Sequence, residues 1–265
     1  MFFRLAALAV LFVTPFHAQA PAKTAPAAAA LPDGRGIVER HIKEVGGRDA
    51  ILAHKSMHVK GTLAVPASGI TGPIEIFGAA NPDRVIVKTS VPGIGDIMEG
   101  FDGSHAWIVS PMTGPMLKIG KELQQTKLDA DFYSELRDAK KYTTVKTVEK
   151  TTCPEGSAST AKPAEGRSCY KVALSRIDGA EDFDFYDVAT GLRAGGINTR
   201  ESSMGTMTVT SALGGYKKFG DMLVATTQSQ KVMGVEQTIT LSSVEFDKVE
   251  SSVFDPPAAI KALIK

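Results

Sequence analysis

Apolar residues fall at Val38, Ile42 and Val45, the i, i+4, i+7 spacing that lines one side of a helix over residues 36–45. Gly46-Gly47 follows at once, and glycine is the residue that closes a helix in a left-handed cap. A second short helical piece is expected over residues 48–54. From Met57 the period changes to two. Met57, Val59, Gly61, Leu63 and Val65 alternate with His58, Lys60, Thr62 and Ala64, the pattern of a half-buried strand. Further strands are expected at residues 73–78, 84–90, 96–101 and 105–110. Between them stand the turn residues Asn81-Pro82-Asp83, Pro92-Gly93 and Asp102-Gly103. In the middle of the chain Leu128, Phe132 and Leu136 recur at i, i+4, i+8, with Thr126 and Asp129 placed as a capping box, which predicts a helix there. Strands resume at residues 142–152, 169–177, 182–188, 192–202, 206–213, 222–232 and 235–246, and a short helix over 257–264 closes the chain. Helical crossovers are missing between neighbouring strands, so the pattern predicts an antiparallel meander. The fold class is mainly β (α+β): a single large curved antiparallel sheet with a few covering helices, in one domain over residues 36–265.

The first twenty residues carry a different pattern. Arg4 precedes a twelve-residue apolar run at residues 5–16, and Ala18-Gln19-Ala20 supplies small residues where a signal peptidase reads. Residues 1–20 therefore read as an export signal, and the apolar run is too short to cross a bilayer core of about 30 Å as a helix. Residues 21–35, rich in Ala and Pro and without periodicity, read as a disordered leader. The expected protein is periplasmic or otherwise exported, with no stable transmembrane segment once the signal is removed. Cys153 and Cys169, the only cysteines, enclose fifteen residues rich in Ser, Ala, Pro and Gly between two strand patterns. In an oxidising compartment they are expected to form a disulfide across the neck of that loop.

Composition narrows the chemistry. Lys and Arg number 30 against 29 Asp and Glu, and loss of Arg4 leaves an even balance with no basic block, which argues against a nucleic-acid partner. No Gly-rich phosphate loop and no dinucleotide fingerprint occurs, so no cofactor is expected. His41, His54, His58 and His105 lack the spacing of a metal site, and His54 and His58, four apart, straddle a helix-to-strand boundary. His41 reads as one edge of a helix and His105 as an exposed residue at a strand start. Glu181, Asp182, Asp184 and Asp187 offer paired carboxylates, but Asp182 and Asp184 alternate with Phe183 and Phe185, which fits a solvated outer face of a strand. No Gly-x-Ser-x-Gly elbow is present. No catalytic and no metal-ligating residues are expected, and the chain does not read as an enzyme.

Several motifs, taken in order, resemble the LolA-like superfamily of periplasmic lipoprotein-sorting proteins. They are Gly46-Gly47-Arg48-Asp49-Ala50 followed by Lys60-Gly61; Phe101-Asp102-Gly103-Ser104-His105-Ala106-Trp107; Tyr186-Asp187-Val188-Ala189-Thr190-Gly191-Leu192; and Val253-Phe254-Asp255-Pro256-Pro257. The resemblance implies an incompletely closed antiparallel β-barrel with helices over its open mouth. It also implies a soluble carrier whose partner is a lipid, an acyl chain or a lipoprotein. Candidates for the wall of a ligand cavity are Phe77, Val85, Val87, Met98, Trp107, Phe132, Phe185, Met207 and Val209. Met112, Met116 and Met204 join Met98 and Met207 as flexible apolar fillers. Trp107, beside His105 and Val109 after a turn, is expected at the cavity rim, and Phe132 on a helix that lids the mouth. The alternative is a non-catalytic interaction or sensing module that binds another envelope protein.

Overall fold

Asp33 caps helix α1, Gly34–Glu44: its carboxylate accepts from the Gly36 N–H at 2.9 Å. The apolar stripe read from the sequence is buried through Val38, Ile42 and Val45. Gly46 and Gly47 then take φ of +134° and +92°, and the Gly47 N–H returns to the Ile42 carbonyl at 2.8 Å. Helix α2, Arg48–Ala53, follows. The fold comes from a computed structural model that describes residues 30–156, 166–202 and 205–264. Met204 lies outside the described residues, as does the expected export signal.

The strands are β1 Ser56–Val65, β2 Ile70–Ala79, β3 Arg84–Val91, β4 Gly95–Phe101, β5 Ala106–Ser110 and β6 Gly114–Lys118. After helix α3, Gly120–Asp129, come β7 Tyr142–Thr152, β8 Ser168–Arg176, β9 Glu181–Asp187, β10 Arg193–Ser202 and β11 Gly205–Gly214. Then follow β12 Lys217–Phe219, β13 Met222–Val224, β14 Thr227–Val232, β15 Val235–Phe246 and helix α4, Ala258–Lys261. Among the described residues thirteen strands form one antiparallel sheet in the order β6-β5-β4-β3-β2-β1-β15-β14-β11-β10-β9-β8-β7, with β6 and β7 at its open ends. It is a curved sheet that does not close into a barrel. The hairpin β12–β13 stands apart as a second, two-stranded sheet.

Strand parity gives this sheet two apolar faces. Val59 is opposite both Val244 and Ile76, which places the three on one face; helices α1 and α2 and the β12–β13 hairpin cover it. On the other face Phe77 is opposite Ile86, Ile86 opposite Gly100, and Gly100 opposite Trp107. That second face is covered by the C-terminal segment, whose Phe254 and Ile260 are buried against Phe77, Ile86 and Trp107. The Trp107 ring lies flat over Gly100: a Cβ there would collide with its ring carbons and stand 2.7 Å from Ile86 Cδ1. Gly100→Ala is therefore expected to lower stability by about 1–3 kcal/mol through overpacking, read from urea unfolding followed by Trp107 emission. An unchanged midpoint would show that the ring does not rest on the strand.

The predicted disulfide is present, joining Cys153 and Cys169 at the neck of the β7–β8 hairpin, with both sulfurs buried beside Phe185 and Ala194. Other expectations need correction. The middle helix lies earlier than the Leu128–Phe132–Leu136 stripe predicted. Thr126, expected as its cap, sits inside α3 and donates to the Glu122 carbonyl at 2.9 Å. The helix tightens at Ala130 and Asp131, Phe132 turns toward the sheet, and Leu136 joins the core from a 3-10 turn, Ser134–Leu136. Strand β6 has no counterpart among the predicted strands: Pro115 lies within it, and an edge strand tolerates proline. The single strand expected over 222–232 is split at Ala225–Thr226, where the Thr226 hydroxyl donates to the Gly215 carbonyl. The closing helix is a single turn.

The acidic alternation on β9 is the largest correction. Asp182 and Asp184 do not face solvent; they are 4% and 1% exposed, while Phe185 takes the opposite face beside the disulfide. The alternation holds, but the face carrying Asp182 and Asp184 is buried. Arg137 explains it: its Nε donates to Asp184 at 2.8 Å, and the Tyr186 hydroxyl donates to the same carboxylate at 3.0 Å. A buried carboxylate is tolerated when it is paired and hydrogen-bonded.

Candidate functional site

Where α1, α2 and the β12–β13 hairpin bridge the sheet, they do not fill the space beneath. A cavity of about 320 Å³ remains. Its floor comes from alternate residues of three adjacent strands: Met57 and Val59 on β1, Ile76 on β2, and Ile239, Leu241, Val244 and Phe246 on β15. Val45, Ile51 and the hairpin's Met222, Leu223 and Val224 form the roof, and Phe132 closes one side. This is a concave, largely apolar space with a few polar groups, the usual make-up of a small-molecule site.

Gln228 on β14 and His54 at the roof contribute polar atoms, and four further polar groups meet at one wall. His41, Glu135, Arg193 and Tyr216 line it, brought together from α1, the 3-10 turn, β10 and the segment after β11. His41, expected at a helix edge, is 1% exposed. Its Nδ1 accepts from the Arg193 backbone N–H at 3.2 Å, so Nε2 carries the proton and donates to Glu135 Oε2 at 3.0 Å. With both nitrogens occupied, His41 is an orienting group and not a free base. Arg193 Nη2 pairs with Glu135 Oε1 at 3.1 Å, and the Tyr216 hydroxyl donates to the Arg193 carbonyl at 2.7 Å. Burial pushes the Glu135 carboxyl up, but the His41 hydrogen bond and the nearby Arg137 charge outweigh it, leaving the pKa lowered. Glu135 is therefore a carboxylate at neutral pH. Among the described residues no group of His, Cys, Asp and Glu has the arrangement of a metal site.

At the roof His54 acts as a clasp. Its Nδ1 lies 2.7 Å from Asp247 after β15, and its Nε2 lies 2.9 Å from Asp221 in the β12–β13 turn. The ring stacks on Phe246 at 4.2 Å. Burial pulls the His54 pKa down, and hydrogen bonds and charges from Asp247 and Asp221 more than offset this, so the pKa is raised above 6.5. A raised folded pKa gives stability that is complete below the unfolded value and lost as pH rises through the folded one. Wild type is thus expected to lose stability relative to His54→Gln as pH rises from about 6.5, measured by urea unfolding across a pH series. A pH-independent difference between the two proteins would refute the clasp.

Phe132 is the one residue among the proposed wall candidates that lines this cavity. Val85, Val87, Met207 and Val209 share the helix-covered face without reaching it: Val85 packs with Phe101 and α3's Leu123, and Val209 is buried farther along β11. Phe77, Met98, Trp107 and Phe185 sit on the opposite face. Trp107, expected at a rim, is 0% exposed in a filled core. The residues that do line the cavity include Met57 and Val59, whose alternation was legible. Glu135 and Arg193 carried no sequence signal, since the chain places them 94 and 152 residues from His41.

The sequence matches no family model and no curated protein. Solved structures do match. A DUF1329 family protein from Desulfovibrio piger superposes with a TM-score of 0.56 at 8% identity, over 86% of this chain and 100% of that one. A domain described as an outer membrane lipoprotein-sorting protein, from Vibrio parahaemolyticus, gives 0.53 at 13% identity over 86% and 98%. A LolA superfamily protein from Nitrosomonas europaea gives 0.52 at 12% identity over 85% and 99%. The chain has a LolA-like fold.

Proposed function

We propose that this protein is an exported, non-catalytic carrier that holds an apolar chain, of a lipid, a free acyl group or a lipoprotein, in the cavity beneath α1, α2 and the β12–β13 hairpin. The observation that carries the reading is the unfilled apolar space itself. A concave apolar space of this size between well-formed layers has the shape and lining of a small-molecule site. Burying a methylene there contributes about 0.8 kcal/mol, so affinity needs no reactive group. The LolA-like fold, shared with a domain described as lipoprotein-sorting, supports the same reading. The buried disulfide supports an oxidising compartment, in line with an exported protein.

Native mass spectrometry of protein purified without detergent tests this. The reading expects a lipid adduct that organic extraction removes and that added long-chain lipid restores. Protein that is empty as isolated and stays empty with a panel of fatty acids, monoacylglycerols and phospholipids would refute it.

A further inference from the structure

Glu135 lines the cavity, and 39% of its side-chain surface is accessible. An ionised carboxylate on the wall of an apolar cavity is costly unless it has partners, and each of its oxygens has one: His41 on Oε2 and Arg193 on Oε1. A carboxylate offers about four lone-pair sites, so acceptor capacity remains on the cavity side. Arg193 is likewise incompletely used. Its Nη1 stands 3.7 Å from Asp184, beyond hydrogen-bond length, and its side chain is 20% exposed. The neighbouring donors are spent, because Tyr216 gives its hydroxyl proton to the Arg193 carbonyl and His41 gives its own to Glu135. This wall thus presents one open acceptor and one open donor side by side, within a cluster whose charges already cancel: Arg137 and Arg193 against Asp184 and Glu135.

We infer that the cavity selects an apolar chain bearing an uncharged group that both donates and accepts, a carboxamide or a hydroxyl, with Glu135 as the specificity-determining residue. The inference rests on the carrier reading. A carboxamide donates its N–H to Glu135 while its carbonyl accepts from Arg193, and a hydroxyl does both through one oxygen. A free carboxylate or phosphate would put a second negative charge against Glu135. An ester accepts from Arg193 but leaves Glu135 without a donor.

Displacement of a fluorescent acyl probe by chains of equal length separates these cases. Hexadecanamide and hexadecanol should displace the probe at concentrations at least about tenfold lower than hexadecanoate, and the amide should also outcompete methyl hexadecanoate. Glu135→Gln keeps an acceptor but removes the charge, and should narrow the amide-to-carboxylate ratio mainly by tightening hexadecanoate binding. If that variant fails to fold, the comparison of amide with methyl ester on wild type decides, since both are uncharged and only one donates. Equal affinities on wild type, or tightest binding of hexadecanoate, would overturn the inference and leave the carrier standing. Probe and competitors that all fail to bind would sink the carrier reading instead.

Discussion

Asp184→Ala is expected to destabilise the protein by about 3–5 kcal/mol, the cost of leaving one member of a buried ion pair without its partner. Asp184 is 1% exposed and Arg137 6%, and the pair is joined at 2.8 Å. Arg137 also donates to the Ser134 carbonyl, which ties the 3-10 turn to β9. Its guanidinium pKa is well above its ordinary value: burial lowers it, and the charge of Asp184 dominates in the other direction. Removal of the carboxylate leaves a cation that cannot discharge. Asp184→Leu with Arg137→Met removes both charges, and apolar replacement of a whole buried pair is often neutral, so the double variant should recover most of the loss. Urea unfolding of wild type, the single variant and the double variant checks this. A single-variant loss below about 1 kcal/mol would mean that water reaches the pair and that it does not hold the turn carrying Glu135.

The second large effect concerns ligand and leaves stability nearly alone. Leu241 lines the cavity floor, half-buried because one side of it meets the open space. Leu241→Trp should place the ring in that space. Exclusion of about four methylenes at ~0.8 kcal/mol each costs ~3 kcal/mol of binding, roughly a hundredfold in affinity. An acyl-probe titration beside a urea melt measures both quantities. Retained affinity would mean that the chain binds elsewhere, and a large loss of stability would mean that the space is already filled.

Much of the fold was legible because strand period and turn chemistry are local. The alternation from Met57 to Val65, the turn residues between strands and the paired cysteines all mark features that the structure contains. The middle helix was misplaced because Leu128, Phe132 and Leu136 fit helical spacing while tertiary packing sends Phe132 to the cavity and Leu136 to the core under α1. The site was less legible for a related reason. Alternation divides a strand's residues into two faces but does not say what covers each. Here both faces are apolar: the C-terminal segment fills one around Trp107, and the helices leave space over the other. The same ambiguity turned Asp182 and Asp184 outward, since only Arg137, distant in sequence, reveals that their face is buried. Phe132 reached the cavity wall by a turn and not by the lid helix expected of it.

The central claim is that an acyl chain occupies the space between the β1–β2–β15 floor and the helix-and-hairpin roof. Photo-crosslinking with a fatty acyl diazirine, followed by mapping of labelled residues by mass spectrometry, tests it most directly. Labels are predicted on Met57, Val59, Phe132, Leu241 and Phe246, with Phe77 and Trp107 untouched. Labels concentrated on Phe77, Met98 and Trp107, or spread over exposed residues such as Met112 and Met233, would contradict it.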